Sequence, residues 1–487
     1  MPFEKEQLSN SIYHATKWSA VTNVMGKLLS PITNMILARL LTPDAFGVVA
    51  TINMLISFAD VFSDAGFQKY LIQHEFSDTP SLFRCANVAF WTNLCISVVL
   101  LGGIICFRDP LAALVGSAGY GAHLAVAGLT IPIISFSSIQ QAIYQRNFDF
   151  KGLFFPRMVK VLLPLAITIP LAFTLRNCWA LIIGNLASNL SDAIILTLRS
   201  QWKPRFYYSF LELRKMFSFS AWTLIESLSI WLTTYIDVFL IGRLMTNYHL
   251  GLYKTSLTTV NQIISPISNT IVPVLFSSLS RCQSNRKLFA NTLYSFQRTS
   301  AIVLVPLSVG IFLYSDVVTG ILLGSQWMEA EKFIGAVGLM RVWIILYANF
   351  ASEVYRSTGE PKISFLVQSV YILIIAPCIT WGARQGFEVL CNVKIGLMVI
   401  FMFMHLIVLK FRYHLEWLFM FRNAAVPTVA ASVMFAGGYF MRLQAQTMGL
   451  TLASILACVL IYFAICFLFP ETREIILSVL KRLSRRI

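Results

Sequence analysis

"ILARLLTPDAFG" at residues 36–47 closes the first long apolar stretch, and "LIGRLMTNYHLG" at 240–251 nearly repeats it. At an offset of 204 residues, Arg39, Leu40, Thr42 and Gly47 fall on Arg243, Leu244, Thr246 and Gly251. The same register pairs Trp18 with Trp222 and Ile32 with Ile236. A register held over roughly thirty residues marks two related halves. In each half the motif joins two apolar helices. Proline or asparagine followed by glycine suits a tight hairpin corner there. Arg39 and Arg243 sit near helix C-termini, where a cation complements the helix dipole. The sharper alternative gives either arginine a part in guiding an anionic headgroup.

The chain of 487 residues is 57% hydrophobic and 12% charged. A soluble domain carries about a quarter charged residues. Runs such as "NVAFWTNLCISVVLLGGIICF" (87–107) and "LASILACVLIYFAICFLF" (452–469) have bilayer-spanning length and recur along the whole chain. The expected class is therefore an all-α polytopic membrane protein. The opening "MPFEKEQLSNSIYHATKW" is polar and the apolar stretch behind it is span-length, which argues against a cleaved leader. The nine cysteines form no CxxC pair and the six histidines no HExxH, so neither disulfides, a metal nor a cofactor is expected.

Apolar runs and polar breaks give about fourteen helices, centred near residues 28, 59, 95, 134, 164, 188, 229, 264, 303, 343, 372, 398, 433 and 458. Charge orients them. With both termini cytoplasmic, most of the 38 Lys and Arg residues face the cytoplasm, including a loop with Arg146, Lys151, Arg157 and Lys160. Only Arg39, Arg108, Arg176, Arg243, Lys254, Lys332, Arg384 and Arg442 lie opposite, and Lys27, Arg341 and Lys394 fall inside spans. The net charge of +16 is thus spread over many short loops. That pattern sets topology and touches anionic lipid, and it argues against nucleic-acid binding.

Four helices carry polar residues at helical spacing. The first has Ser19, Asn23, Lys27, Ser30 and Thr33 or Asn34, and the second Asn53, Ser57, Asp60 and Asp64. The seventh has Thr223, Glu226 or Ser227, Thr234 and Asp237, and the eighth Thr258, Asn261 or Gln262, Ser265 and Asn269. A lipid-facing surface excludes such stripes. The offset superimposes Ser19 on Thr223, Asn23 on Ser227, Ser30 on Thr234 and Ser57 on Asn261. Interhelical hydrogen bonding is one account. A water-filled cavity shared by the two halves is the other, and matched stripes favour it.

At this point the residues resemble a family. "ATKWSA", "ILARLLTPDAFGVVA", "FADVFSDAGFQKYLIQ", "QQAIYQRNFDFKGL", "FSFSAW", "YIDVFLIGRLM" and "ILLGSQW" together resemble Wzx-type polysaccharide exporters of the MOP superfamily, in the colanic-acid-exporter-like branch. The resemblance covers residues 12–412. It implies two six-helix lobes in a V, related by a pseudo-twofold axis along the membrane normal, with two further helices. The corresponding divisions are 1–205, 206–412, 413–470 and a basic tail at 471–487. It also implies a cargo, an undecaprenyl-diphosphate-linked oligosaccharide moved to the outer leaflet of the bacterial inner membrane by alternating access. Implied partners are membrane lipids, a polysaccharide polymerase and other assembly proteins.

An anionic cargo needs cations, since an unpaired charge in hydrocarbon costs at least about 2.5–3.5 kcal/mol. Lys27, mid-span beside Gly26, is the foremost candidate, and a structural pair with Asp60 is the competing reading. Its offset partner is Trp231, so a cationic site is asymmetric. The other cavity candidates are Asn23, Ser30, Asn34, Asn53, Ser57, Thr234, Asn261, Gln262, Arg39 and Arg243. Asp60, Asp64, Glu226 and Asp237 are candidates for a coupling proton or cation. Arg341 reads as an intra-lobe packing charge. A lipid II flippase or a cation-coupled drug exporter of the same superfamily is the runner-up, and Lys27 counts against the latter. An enzyme lacks support, because no outer loop is large and "GKLLS" lacks the upstream glycine of a P-loop.

Overall fold

A computed structural model describes residues 22, 25–27, 29–64, 66–74, 76, 78–147, 149–444 and 447–484, with the side chains of 64, 218–223, 226, 361 and 478–484 left out of the description. Among the described residues there is no strand, and thirteen helices are long and apolar enough to cross a membrane. With the first helix, α1 (residues 29–40, continuing 25–27), the chain runs through α2 Pro43–Asp64, α3 Thr79–Cys106, α4 Gly121–Arg146, α5 Phe150–Leu175 and α6 Cys178–Arg199. It continues through α7 Phe210–Leu244, α8 Asn247–Cys282, α9 Arg286–Leu313, α10 Ser325–Ser357, α11 Lys362–Gln385, α12 Phe387–Tyr413, α13 Trp417–Gln444 and α14 Met448–Leu468. A last helix, Pro470–Ser484, occupies most of the segment expected as a tail.

Packing divides the chain into two compact units, Met1–Lys254 and Thr255–Ile487. The division falls inside α8, whereas the 205/206 boundary follows the duplication in sequence. In the first unit, one apolar cluster joins α1 (Leu37) and the bend after it (Leu41), α2 (Val48, Ile52, Ile56) and α4 (Leu124, Ile131) to the α5–α6 corner. A second cluster packs α3 (Ala86, Val88, Phe90) and α4 (Ile139, Ile143) around Trp202. Helix α5 begins earlier than the sequence reading allowed. The Asp149 carboxylate caps its first turn by accepting from the Gly152 N–H at 2.8 Å. Arg157 and Lys160, expected in a loop, therefore lie two and three turns inside a membrane helix.

The second unit is built on α9. Within α10, a π-helical stretch, Ile344–Asn349, is almost wholly buried, and Gln297 of α9 donates to the Leu346 carbonyl within it at 3.1 Å. Helices α13 and α14 dock on α9 through polar anchors in an otherwise apolar seam. Arg442 pairs with Asp316 at 2.7 Å and also donates to the Leu313 carbonyl. The Tyr462 hydroxyl donates to the Ile302 carbonyl at 2.9 Å, and Arg298 holds both Asn423 (3.1 Å) and Glu471 (3.0 Å). These contacts fix α13 and α14 along the middle and at the C-terminal end of α9, and Glu471 ties the last helix to the same arginine. Arg442→Gln and Asp316→Asn should each lower the melting temperature in detergent. Since both side chains are one-third exposed, a double-mutant cycle should return a coupling of only about 1 kcal/mol. A coupling of zero would mean that the pair does not fasten α13.

Candidate functional site

The repeated motif forms a junction within the first unit. Helix α1 ends at Leu40, and α2 starts on Pro43, where a missing N–H costs nothing and Asp44 suits the positive end of the dipole. Helix α7 ends at Leu244 and α8 starts on Asn247, with the Thr246 hydroxyl accepting from the His249 N–H at 3.4 Å. The glycines do not make the turns. Gly47 and Gly251 lie about one turn inside α2 and α8. A Cβ on Gly47 would stand 1.8 Å from the Asn247 carbonyl oxygen, and one on Gly251 would stand 1.9 Å from the Pro43 carbonyl oxygen. Pro43 and Asn247 are themselves related by the 204-residue offset. The contact is thus reciprocal: each copy of the motif presses its glycine against the other copy's helix start.

A second close approach braces the first. Gly116 (φ +82°), in the turn before α4, would carry a Cβ 1.5 Å from the Gly242 carbonyl oxygen, and a Cβ on Gly242 would lie 2.6 Å from the Val115 carbonyl oxygen. Next to it, Ser117 Oγ lies 2.7 Å from Thr51 Oγ1 and donates to Asn247 Oδ1 at 2.9 Å. Thr51 and Ser117 are fully buried, so this three-member chain is worth more than an exposed one. Arg39 and Arg243 are exposed at this junction.

Along the stripes the outcome is mixed. The Trp231 indole N–H, at the offset position of Lys27, donates to Ser57 Oγ at 3.0 Å and approaches the Met54 carbonyl at 3.3 Å. Its ring packs 4.7 Å from Phe58. Asp237 is buried, with Oδ1 accepting from the Val238 N–H and Oδ2 from the Tyr253 hydroxyl, both at 2.8 Å. That carboxylate fastens α7 to α8. Thr234 is exposed and turns its hydroxyl back to the Ile230 carbonyl at 2.8 Å. Lys27, Asn34 and Asp60 are half-buried, and Ser30 and Asn53 are exposed. Asn261 and Gln262, half-buried, belong to the second unit. Asn23 and the side chains of Asp64 and Glu226 lie outside the described residues.

One cluster escaped the sequence reading. Asp192 of α6, with a side chain 6% exposed, accepts from Gln141 Nε2 of α4 at 3.2 Å and faces Lys160 Nζ of α5 at 3.5 Å. The signal was present in "GNLASNLSDA" (184–193), where Asn185, Asn189 and Asp192 step by four and three. The stripe has no motif beside it, and its cationic partners had been assigned to a loop.

The junction makes a sharp prediction. Gly47→Ala and Gly251→Ala should each destabilise the protein by about 1–3 kcal/mol through overpacking against backbone. Gly102→Ala and Gly103→Ala, which meet nothing within 4 Å, should not. Equal melting temperatures across all four variants in detergent would rule out the reciprocal contact.

Known proteins agree with the resemblance drawn from residues 12–412. The model of the polysaccharide biosynthesis protein family matches residues 36–332. The succinoglycan biosynthesis transport protein ExoT of Rhizobium meliloti is 23% identical over 371 residues, 76% of this chain and 74% of that protein. The lipopolysaccharide biosynthesis protein WzxC of Escherichia coli is 19% identical over 379 residues, 76% of this chain and 75% of that one. Among solved structures, the lipid II flippase MurJ in an inward closed conformation has the same fold, with a TM-score of 0.74 over 94% of this chain and 99% of that chain at 15% identity. With a family match over more than half of its length, the chain belongs to the polysaccharide biosynthesis protein family.

Proposed function

We propose that this protein is a flippase for lipid-linked saccharide, turning an undecaprenyl-diphosphate-linked oligosaccharide from the cytoplasmic to the outer leaflet of the bacterial inner membrane. The observation that carries the reading is the reciprocal junction of the repeated motif. A duplicated membrane protein whose two copies meet backbone to backbone at one end, through glycines and a short hydrogen-bond chain, has a seam that can open without dragging long side chains apart. The proposed lobes are residues 1–205 and 206–412, and their rocking about this seam gives alternating access. With both termini cytoplasmic, the seam lies at the outer face and is closed in the conformation described. Transport and flipping, named for ExoT and MurJ respectively, are consistent with this use of the fold.

Lys27 supplies the mid-span cation for the diphosphate, with Asn34, Asn53, Ser57 and Thr234 as polar contacts for sugar. Asp60, Asp64, Glu226 and Asp237 supply the carboxylates through which a proton or cation gradient acts. Of these Asp237 is already bound to Tyr253, so its protonation would cost the α7–α8 fastening. A lipid II substrate is the second reading, favoured by the overlap with MurJ. A polymerase acting on the delivered units is the expected downstream partner.

The test is a gene deletion complemented with wild type or Lys27→Ala, with lipid-linked oligosaccharide assayed by leaflet using a membrane-impermeant label. The expected result is inner-leaflet accumulation in the deletion, cured by wild type and not by Lys27→Ala. Rescue by both would move the cationic role away from Lys27. An unchanged leaflet distribution in the deletion would end the flippase reading.

A further inference from the structure

The cluster around Asp192 holds more positive charge than its one carboxylate can neutralise. Lys160 reaches Asp192 at 3.5 Å, longer than the roughly 2.7–2.9 Å of a firm charge-assisted bond. Arg157, one turn earlier on α5, is half-buried and within electrostatic reach of the same carboxylate, yet among the described residues it makes no hydrogen bond or ion pair. A guanidinium inside a membrane segment with its donors unfilled is costly unless a ligand fills them. The cluster is also open to a ligand, since Lys160 keeps 39% of its side chain exposed. It lies beside α1: a Cβ on Gly26 would meet Val161 at 3.9 Å, one turn beyond Arg157 and one residue from Lys27.

We infer that Arg157 and Lys160, gathered about Asp192 inside the first unit, form an anion site that receives the phosphate of a lipid. The Arg157 fork takes two phosphate oxygens, and Lys160 turns from Asp192 to share one of them, while Gln141 keeps the carboxylate hydrogen-bonded. Asp192 is thereby a built-in competitor. It holds Lys160 in place while the site is empty and yields it when a lipid phosphate arrives. The cluster lies two to three turns from the Phe150 end of α5 and the Arg199 end of α6, the ends that face the cytoplasm on the flippase reading. As the entry point for a lipid-linked diphosphate, the site rests on the flippase reading. As a lipid-phosphate site it does not.

Binding to the purified full-length protein, measured by native mass spectrometry, decides it with two probes, farnesyl diphosphate and phosphatidylglycerol. Arg157→Gln should weaken the preferred probe at least about tenfold, and Lys160→Gln should weaken it less. Asp192→Asn, by removing the competitor, should tighten it, an effect that a purely structural cluster would not show. Arg157→Lys, which keeps the charge and loses the fork, should fall between, and serves if the glutamine variant does not fold. Preference for farnesyl diphosphate identifies the cargo as the source of the phosphate, and preference for phosphatidylglycerol identifies a bilayer lipid. Either upholds the site. Unchanged affinity in folded Arg157→Gln overturns it and leaves Arg157 as a side chain that reaches to the interface. The leaflet assay reports on flipping separately, so failure there with Arg157-dependent binding intact would remove the transport reading alone.

Discussion

The close approach of two helix starts at Gly47 and Gly251 is the constraint around which the first unit is arranged. Carbonyl oxygens at Pro43 and Asn247 occupy the space a side chain would need, so both positions are closed to every residue but glycine while the corners touch. Because the contact is reciprocal, neither copy of the motif can drift without disturbing the other. Local rules already suffice to build a hairpin corner: a proline at N1, an arginine at a helix C-terminus, a short polar turn. What the duplication adds is a surface that fits itself, as the two halves of an isologous interface do. The repetition that first draws attention to the sequence is therefore explained by a contact between its copies.

Symmetry at the junction gives way to asymmetry along the helices. Where the first repeat has Lys27, the second has Trp231, whose indole is spent on Ser57 and on the backbone of α2. One register position is thus a half-buried cation in one copy and a packing anchor in the other. Duplicated folds specialise in this way: residues that hold the halves together must stay alike, and residues that meet an asymmetric ligand need not. Asp237 follows the same logic. It lies on the seventh-helix stripe, but its oxygens are committed to Tyr253 and Val238. A polar stripe read from spacing alone does not separate a side chain that faces water from one that ties two helices.

How much was legible follows from the range of each interaction. Helix existence depends on the local density of apolar residues, and the thirteen expected centres from 59 onward fall within the observed helices because hydrocarbon thickness is a strong, one-dimensional constraint. The first, at 28, lies outside the described residues. The junction depends on residues 204 positions apart. The sequence reports that Gly47 and Gly251 correspond without reporting that they meet, and turn chemistry offered an easier explanation for a glycine. The Arg157–Lys160 cluster was obscured by a boundary. In "NFDFKGLFFPRMVK" (147–160), three cations and a proline resemble a loop by composition, yet Asp149 caps a helix at the start of that stretch. Pro156 is tolerated inside it because membrane helices have neighbours to satisfy freed carbonyls. The cap was a readable signal; the charges outweighed it.

The two polar assemblies of the first unit differ in what it takes to undo them. At the junction, the Thr51–Ser117–Asn247 chain is neutral, and the glycine contacts are backbone packing. Separating them exposes groups that water can solvate as well as the protein did, so the net cost is about 0.5–1.5 kcal/mol for each hydrogen bond. The Asp192 cluster is ionic and its carboxylate is buried among three membrane helices, where stripping a charge of its partner costs several times that. An anion that replaces Asp192 as the partner of Lys160 leaves no cation bare, but it leaves Asp192 with the neutral Gln141 amide alone, so the exchange costs the carboxylate its counter-charge. The first assembly therefore separates at modest cost, whereas the second resists any change that leaves a charge without a partner.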